Sequence, residues 1–433
     1  MKDLINRRRA ALLAGLGVAS LVVAACGASA TSPTSSGATT TSKTSCPVTF
    51  GELMPVSGKE AFVGTWFDTG ADAGIYAVNH GGGVLGCKVQ YVLDDTAGDP
   101  VDAVPALKAL LLSKPAVVIG PSSLSILGII KQFDPLKLPD LMQGGTTALD
   151  TMQYPYVWRV NSSDSQLLAG EAYFALNKLH CTKAAMMYED SANAQDEVPP
   201  LKTAFTGNGG TIVSDQKLEP GASSYSSEVA SAFANNPQCV FFHATPAEAT
   251  TLFSDAAAQG HLNVPFITGD TGASIDLAKA MGLSSASKYM YGMTGPAVDA
   301  QSVTAFNAAF SGQYPGQQPL NANASEAMYD AVIVAALAMD EAHSISGATW
   351  NSYIEKVTNN ESATSCYSYS ACLSMIKSGQ QIDYEGAATN LDFNKFHNVF
   401  SPEQVVQFPA SGGTPQPVLT ESESQLAAMY HKG

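Results

Sequence analysis

Two short loops concentrate the hydroxyls and bare backbone amides that could hold a small anion. Gly120-Pro121-Ser122-Ser123 follows the apolar run Ala116-Val117-Val118-Ile119 and opens a helix; Gly144-Gly145-Thr146-Thr147 follows the next apolar run. A helix start presents free N–H groups and a partial positive charge, so hydroxyls at two neighbouring starts suit a carboxylate. Asp270, in Thr268-Gly269-Asp270-Thr271-Gly272, stands just past another apolar run and offers the opposite sign. This is the chemistry of binding. The patterns of catalysis are missing: the chain has no G-x-S-x-G elbow, no G-x-x-x-x-G-K-[ST] loop and no H-E-x-x-H. Its histidines are scattered, none at metal-ligand spacing from another, and no C-x-x-C occurs. No enzyme, catalytic residue, metal or cofactor is expected.

Two motifs tempt other readings. Gly81-Gly82-Gly83-Val84-Leu85-Gly86 matches a dinucleotide fingerprint, but that motif works only between a strand and the helix it opens. Here a helix precedes it and a strand follows, so its glycines serve a helix C-cap and a tight turn. The acidic group Asp94, Asp95, Asp99 and Asp102 suggests calcium, yet a strand end followed by a helix cap explains it more simply.

The elements that must carry these loops alternate along the chain. Strands are predicted over 48–54, 87–93, 116–119, 140–142 and 157–160, with helices over 65–80, from Asp99-Pro100 to about 113, and from 123. The pattern then restarts: helices over 165–179, 197–206, 224–234 and 247–259 alternate with strands over 184–188, 211–214, 239–242 and 265–267. A strand over 289–291 follows, then helices over 301–311 and 325–341 that return to cover existing sheets. Two βαβ blocks in tandem imply two doubly wound α/β lobes, with short continuous apolar strands covered on both faces.

The N-terminus reads as an export leader: Lys2, Arg7, Arg8 and Arg9, then an apolar run from Ala10 to Ala25. Val23-Ala24-Ala25-Cys26 resembles a lipobox, in which the cysteine after the cut is acylated and anchors the chain. From Gly27 to Ser45 every residue but Lys43 is Ser, Thr, Ala, Gly or Pro, a flexible tether. No other apolar stretch reaches membrane-span length, so the lipid is the sole expected contact with the membrane. A net charge of −16 argues against nucleic acid as a partner. Six further cysteines in an exported chain suggest disulfides, with fifteen connectivities available. Strand adjacency favours Cys46–Cys87 and Cys181–Cys239, and a short intervening loop favours Cys366–Cys372.

The order of several fragments now carries a resemblance. Pro55-Val56-Ser57-Gly58, Val78-Asn79-His80 with its glycine run, Asp94-Asp95 with Asp99-Pro100, and Ile119-Gly120-Pro121-Ser122-Ser123 come first. Tyr156-Val157-Trp158-Arg159, Tyr188-Glu189-Asp190, Pro265 to Asp270, Ala327-Met328-Tyr329-Asp330-Ala331 and Tyr384-Glu385-Gly386 follow. The sequence resembles the leucine/isoleucine/valine-binding protein family, the type 1 periplasmic-binding proteins of branched-chain amino-acid ABC transporters, from Thr49 to Phe408.

The resemblance implies two Rossmann-like lobes joined by three crossovers, with one solute in the cleft between them. Lobe 1 would be 46–160 plus about 295–400, and lobe 2 161–294 plus about 401–433. Asp270 matches the acidic position that receives a ligand's ammonium group, and Asn193 and Thr245 would also face the cleft. The chain departs from the family in having Asn193-Ala194 for Tyr-Gly, Val63 before Gly64, and Leu124 for a second serine. Phe62, Trp66 and Phe67 could supply the aromatic wall these departures remove, but residues at an amphipathic helix start are more often core, and the core is where they are expected. The function implied is that of a monomeric, lipid-anchored solute-binding protein on the outer face of the bacterial membrane. It would deliver an amino acid or similar small polar solute to ABC permease subunits. A sensor of the same fold is the alternative; a hydrolase lacks any nucleophile–base pair.

Overall fold

A computed structural model describes residues 46–430, save Lys59, Met152, 270–273, Pro296, Ala297 and Glu361, and gives backbone alone for Asn193 and Tyr430. The leader, Cys26, the tether and Asp270 therefore lie outside the described residues.

Five parallel strands make the first sheet: β1 (Val48–Met54), β2 (Val89–Asp95), β3 (Val117–Ile119), β4 (Asp140–Met142) and β5 (Val157–Arg159), in the order β2-β1-β3-β4-β5. The second sheet repeats that order with β6 (Lys183–Glu189), β7 (Thr211–Leu218), β8 (Cys239–His243), β9 (Phe266–Thr268) and β10 (Met290–Thr294), running β7-β6-β8-β9-β10. A small parallel pair, β11 (Thr364–Cys366) and β12 (Ile382–Tyr384), stands apart. β13 (Glu403–Gln407) then joins the second sheet antiparallel to β10, and β14 (Gln416–Glu421) pairs antiparallel with β13. The chain passes between the two sheets after β5, after β10 and before β13, which makes three crossovers.

Side-chain alternation explains why the short strands read as continuous apolar runs. Val117 and Ile119 pack into one core while Val118 faces another; in β8, Val240 and Phe242 face one side and Cys239 and Phe241 the other. Each sheet is thus buried on both faces by helices, which removes the polar half of the pattern. The Ala322–Glu341 helix returns to the first sheet and packs along the Ala61–Gly81 helix; their close approach leaves no room at Gly70, whose Cβ would meet the Ser325 backbone.

Local chemistry sets the boundaries. Asp99 accepts from Val101 N at 2.7 Å and Pro100 opens the helix, as its type predicts. The glycine run ends the Ala61–Gly81 helix, with Gly82 and Gly83 at positive φ and Gly83 N bonded to Val78 O. Asp95 accepts from the amides of Val56, Ser57 and Ala97, so the acidic group is a turn brace; no metal cluster occurs among the described residues. Disulfides join Cys46 to Cys87, Cys181 to Cys239 and Cys366 to Cys372. No helix among the described residues is long and apolar enough to cross a membrane.

One boundary differs instructively. Glu197-Val198-Pro199-Pro200 reads as a helix start, because proline favours a first turn. The helix instead spans Ala192–Gly207, capped by Ser191, whose Oγ accepts from Ala194 N, and carries both prolines inside. Asn193 consequently lies on its first turn.

Candidate functional site

In an open sheet of this order, the strands on either side of the first one send their connections to opposite faces. A crevice opens beyond their carboxyl ends at that switch point. Both sheets present this feature, and a cavity of about 170 Å³ lies where loops from both meet. The first sheet supplies Ser122 and Ser123 after β3 and Gln143, Gly144 and Gly145 after β4. The second supplies His243 at the end of β8, with Glu197 from the helix after β6. A volume below the ~300–1,000 Å³ of drug-sized pockets suits a small solute.

Backbone shape fixes the two loops. Gly120 has φ +90 and its Cβ would strike the Leu53 carbonyl, so β3 can turn into its helix only at glycine. A Cβ on Gly145 would run into the Asp164 carboxylate, whose own N–H donates to Gly145 O at 2.7 Å. Gly144 N donates to Asn161 Oδ1 at 2.9 Å, and Thr146 N to Ser123 Oγ at 3.4 Å. Behind the loop, Arg159 is almost wholly buried, donating to the carbonyls of Gly145 and Thr146 and to Asp150 Oδ1 at 2.7 Å. Its backbone also pairs with His397 and Val399 on the last crossover. Arg159 therefore holds the loop after β4 through its side chain and the last crossover through its backbone.

The sequence-predicted residues do not all come together in the cavity. Ser122 and Ser123 line the cavity; Ser122 Oγ donates to Glu60 Oε2 at 2.8 Å and meets Ser125 Oγ. Thr146 and Thr147 are engaged by Asp196 of the facing helix: Oδ2 accepts from Thr146 Oγ1 at 3.1 Å, Thr147 N at 3.1 Å and Thr147 Oγ1 at 2.9 Å. Thr245 caps the Pro246–Ala258 helix through Glu248 N, two residues past the cavity-lining His243. Asn193 opens the facing helix, and Asp270 lies outside the described residues.

Other groups line the cleft, and Glu60, Glu197, Gln143 and His243 among them are not singled out from the sequence. Glu60 closes the Ala61–Gly81 helix start, and burial pushes its carboxyl above the ordinary value despite the Ser122 hydrogen bond. Glu197 Oε2 lies 2.9 Å from His243 Nδ1. Gln143, 7% exposed, keeps an Oε1 with no hydrogen-bond partner among the described residues. Phe62 and Trp66, expected in the core, instead line the cavity as an edge-to-face pair with centroids 5.1 Å apart; Phe67 lines it too, from a buried position. Position at a strand end could have flagged His243; Asp196 carries no local pattern.

Comparison with known proteins agrees with this architecture. A family model described as periplasmic binding protein matches residues 47–369. The Leu/Ile/Val-binding protein BraC3 of Rhizobium johnstonii is 24% identical over 189 residues, which are 41% of this chain and 49% of that protein. The chain spans about half the length of the curated relatives it matches. Among solved structures, the substrate-binding protein LivJ from Streptococcus pneumoniae, in complex with isoleucine, superposes with a TM-score of 0.70 at 17% identity. The match covers 87% of this chain and 99% of that one. A fatty acid ABC transporter substrate-binding protein from Thermomonospora curvata gives 0.68 at 16% identity, covering 90% and 96%. The resemblance read from the sequence is borne out, and so is the two-lobed type 1 fold. The chain belongs to the periplasmic binding protein family, a family of binding proteins and not of enzymes.

Proposed function

We propose that this protein is the extracytoplasmic solute-binding component of an ABC importer, holding an amino acid or similar small polar solute between two lobes. The lobes are 46–160 with about 295–400, and 161–294 with about 401–433. The observation that carries the reading is the cavity at the facing switch points, lined from both sheets and small enough for one solute. The solute stabilises the closed arrangement through contacts available only when the lobes meet, and the permease recognises that arrangement. The names of the relatives support the amino-acid class. Residues 1–25 act as a lipoprotein signal, Cys26 carries the lipid, and 26–45 form the tether to the outer face of the membrane. The protein acts as a monomer. Ser122, Ser123, Thr146, Thr147, Asn193, Thr245 and Asp270 are the proposed ligand-facing positions, with Asp270 receiving the cationic end.

Mass spectrometry of small molecules released on denaturing natively purified protein tests this reading. One chemically unchanged solute at one per chain is expected. Recovery of a hydrolysed product, or of none after incubation with a metabolite extract, contradicts it.

A further inference from the structure

A second cavity, of about 620 Å³, lies apart from the cleft and shares no described lining residue with it. Its size falls within the ~300–1,000 Å³ of small-molecule pockets. Asp150, Thr151 and Arg159 bring one wall from the first sheet's side. The helices Asp164–Asn177 and Ala192–Gly207, which pack on the second sheet, bring another, with the last helix, Glu423–Tyr430, laid against both. These two helices stand between the cavities: they give Asp164 and Glu197 to the cleft, and Gln166 and Ala204 to the second cavity.

The lining is mostly apolar, with Pro200, Ala204, Phe396, Phe400 and Met429 in it, but two buried polar atoms break the pattern. Arg159 is 2% exposed, and its Nη atoms are engaged by the Gly145 and Thr146 carbonyls and by Asp150. Its Nε has no hydrogen-bond partner among the described residues. Gln166, 0% exposed, donates through Nε2 to the Ser401 carbonyl and to Glu403 Oε1. Those two acceptors fix the orientation of the amide, so the atom left without a partner among the described residues is Oε1. A buried donor and a buried acceptor that both stay open are unfavourable, and native structures meet such groups with water or a ligand.

We propose that this cavity is a second ligand site, for an uncharged molecule with an apolar body and a polar head that both accepts and donates, an amide being the simplest. The head accepts from Arg159 Nε and donates to Gln166 Oε1, and the body lies on Phe396, Phe400 and Met429. An ionised carboxylate can only accept and an ammonium only donate, so either leaves one buried group unmet. The site goes beyond the cleft and stands whether or not the cleft holds the solute proposed above.

The test is calorimetry on the full chain with octanamide, octanoate and octylamine. Octanamide is expected to bind one per chain, at least about tenfold more tightly than either ion. Ala427→Trp, at a half-buried lining position on the last helix, and Thr203→Trp, at an exposed one on the Ala192–Gly207 helix, each place an indole at the cavity. Both should weaken octanamide at least about tenfold, with urea unfolding to show that each variant folds. Val63→Trp, which fills the cleft, should keep octanamide binding. Octanamide that survives both cavity indoles, or that is lost from Val63→Trp alone, overturns the proposal. Octanoate or octylamine binding as tightly as octanamide overturns it too, as does absence of heat from all three. None of these outcomes bears on the cleft, whose solute is released and identified separately by mass spectrometry.

Discussion

Thr147 and Asp196 meet across the cleft, the hydroxyl of one donating to Oδ2 of the other at 2.9 Å, although they belong to loops governed by different sheets. Thr147 follows β4 and Asp196 rides the helix after β6, so this contact exists only when the two halves face each other. The cleft thus carries a closure contact of its own. A solute that closes it adds to a bias already present, because the relevant quantity is the difference in contacts between open and closed forms.

Substitutions at the cleft should separate closure from recognition. Thr146→Ala removes one of three donors to Asp196 and should weaken solute binding by about 1 kcal/mol, since Thr147 keeps both its contacts. Asp270→Ala should cost more, about 2–5 kcal/mol, by leaving a desolvated cation without its partner. Calorimetry with the co-purified solute checks both. An Asp270→Ala protein that binds as tightly as its parent removes that residue from the site.

Arg159 is the structural lever behind the loop. It is buried, bonded to two loop carbonyls and paired with Asp150, so Arg159→Ala leaves a carboxylate and two carbonyls without their donor. A loss of about 3–5 kcal/mol in urea unfolding is expected. A loss below about 1 kcal/mol would mean that water substitutes freely there, against the burial found.

Several carboxyls titrate late because burial disfavours their charge: Glu421 and Glu326 are pushed up to about 8 and Asp330 to about 7. Each then holds a proton in the folded state that the unfolded chain has already lost above its ordinary value. Their stabilisation is complete below about pH 4 and is lost as pH rises toward 8. Glu421→Gln mimics the protonated acid, so its stability should fall less between pH 5 and pH 8 than that of the parent. Each such group contributes a slope of up to about 1.4 kcal/mol per pH unit. Identical slopes for parent and variant in urea titrations would show that Glu421 is charged throughout.

Cys26→Ala should release the protein from the membrane fraction and abolish incorporation of labelled lipid, since acyl chains are the proposed anchor. Retention of the variant on the membrane, with no labelling of the parent, would refute the anchor.

Much of the fold is legible because local chemistry and global packing agree. Val117-Val118-Ile119 has no polar position, and both its faces are indeed covered. Asp99-Pro100 marks a helix start that the structure keeps. Legibility fails where tertiary contact decides. β7 extends to Leu218 through Ser214-Asp215-Gln216-Lys217, a polar stretch at the sheet edge that solvent allows and that alone gives no strand pattern. The seat at Thr146 and Thr147 was legible as a place for an anion; that the anion is Asp196, 50 residues away, depends on how two sheets face each other. Phe62 and Trp66 follow the same rule: an amphipathic turn fixes which face they share, not whether that face meets core or cleft.

Native mass spectrometry of the parent and of Val63→Trp, each equilibrated with a metabolite extract, tests the central claim most directly. Val63 lines the cavity, so an indole there fills it. The account predicts one small adduct per chain on the parent and none on Val63→Trp; an equal adduct on both, or none on either, would contradict capture in this cleft.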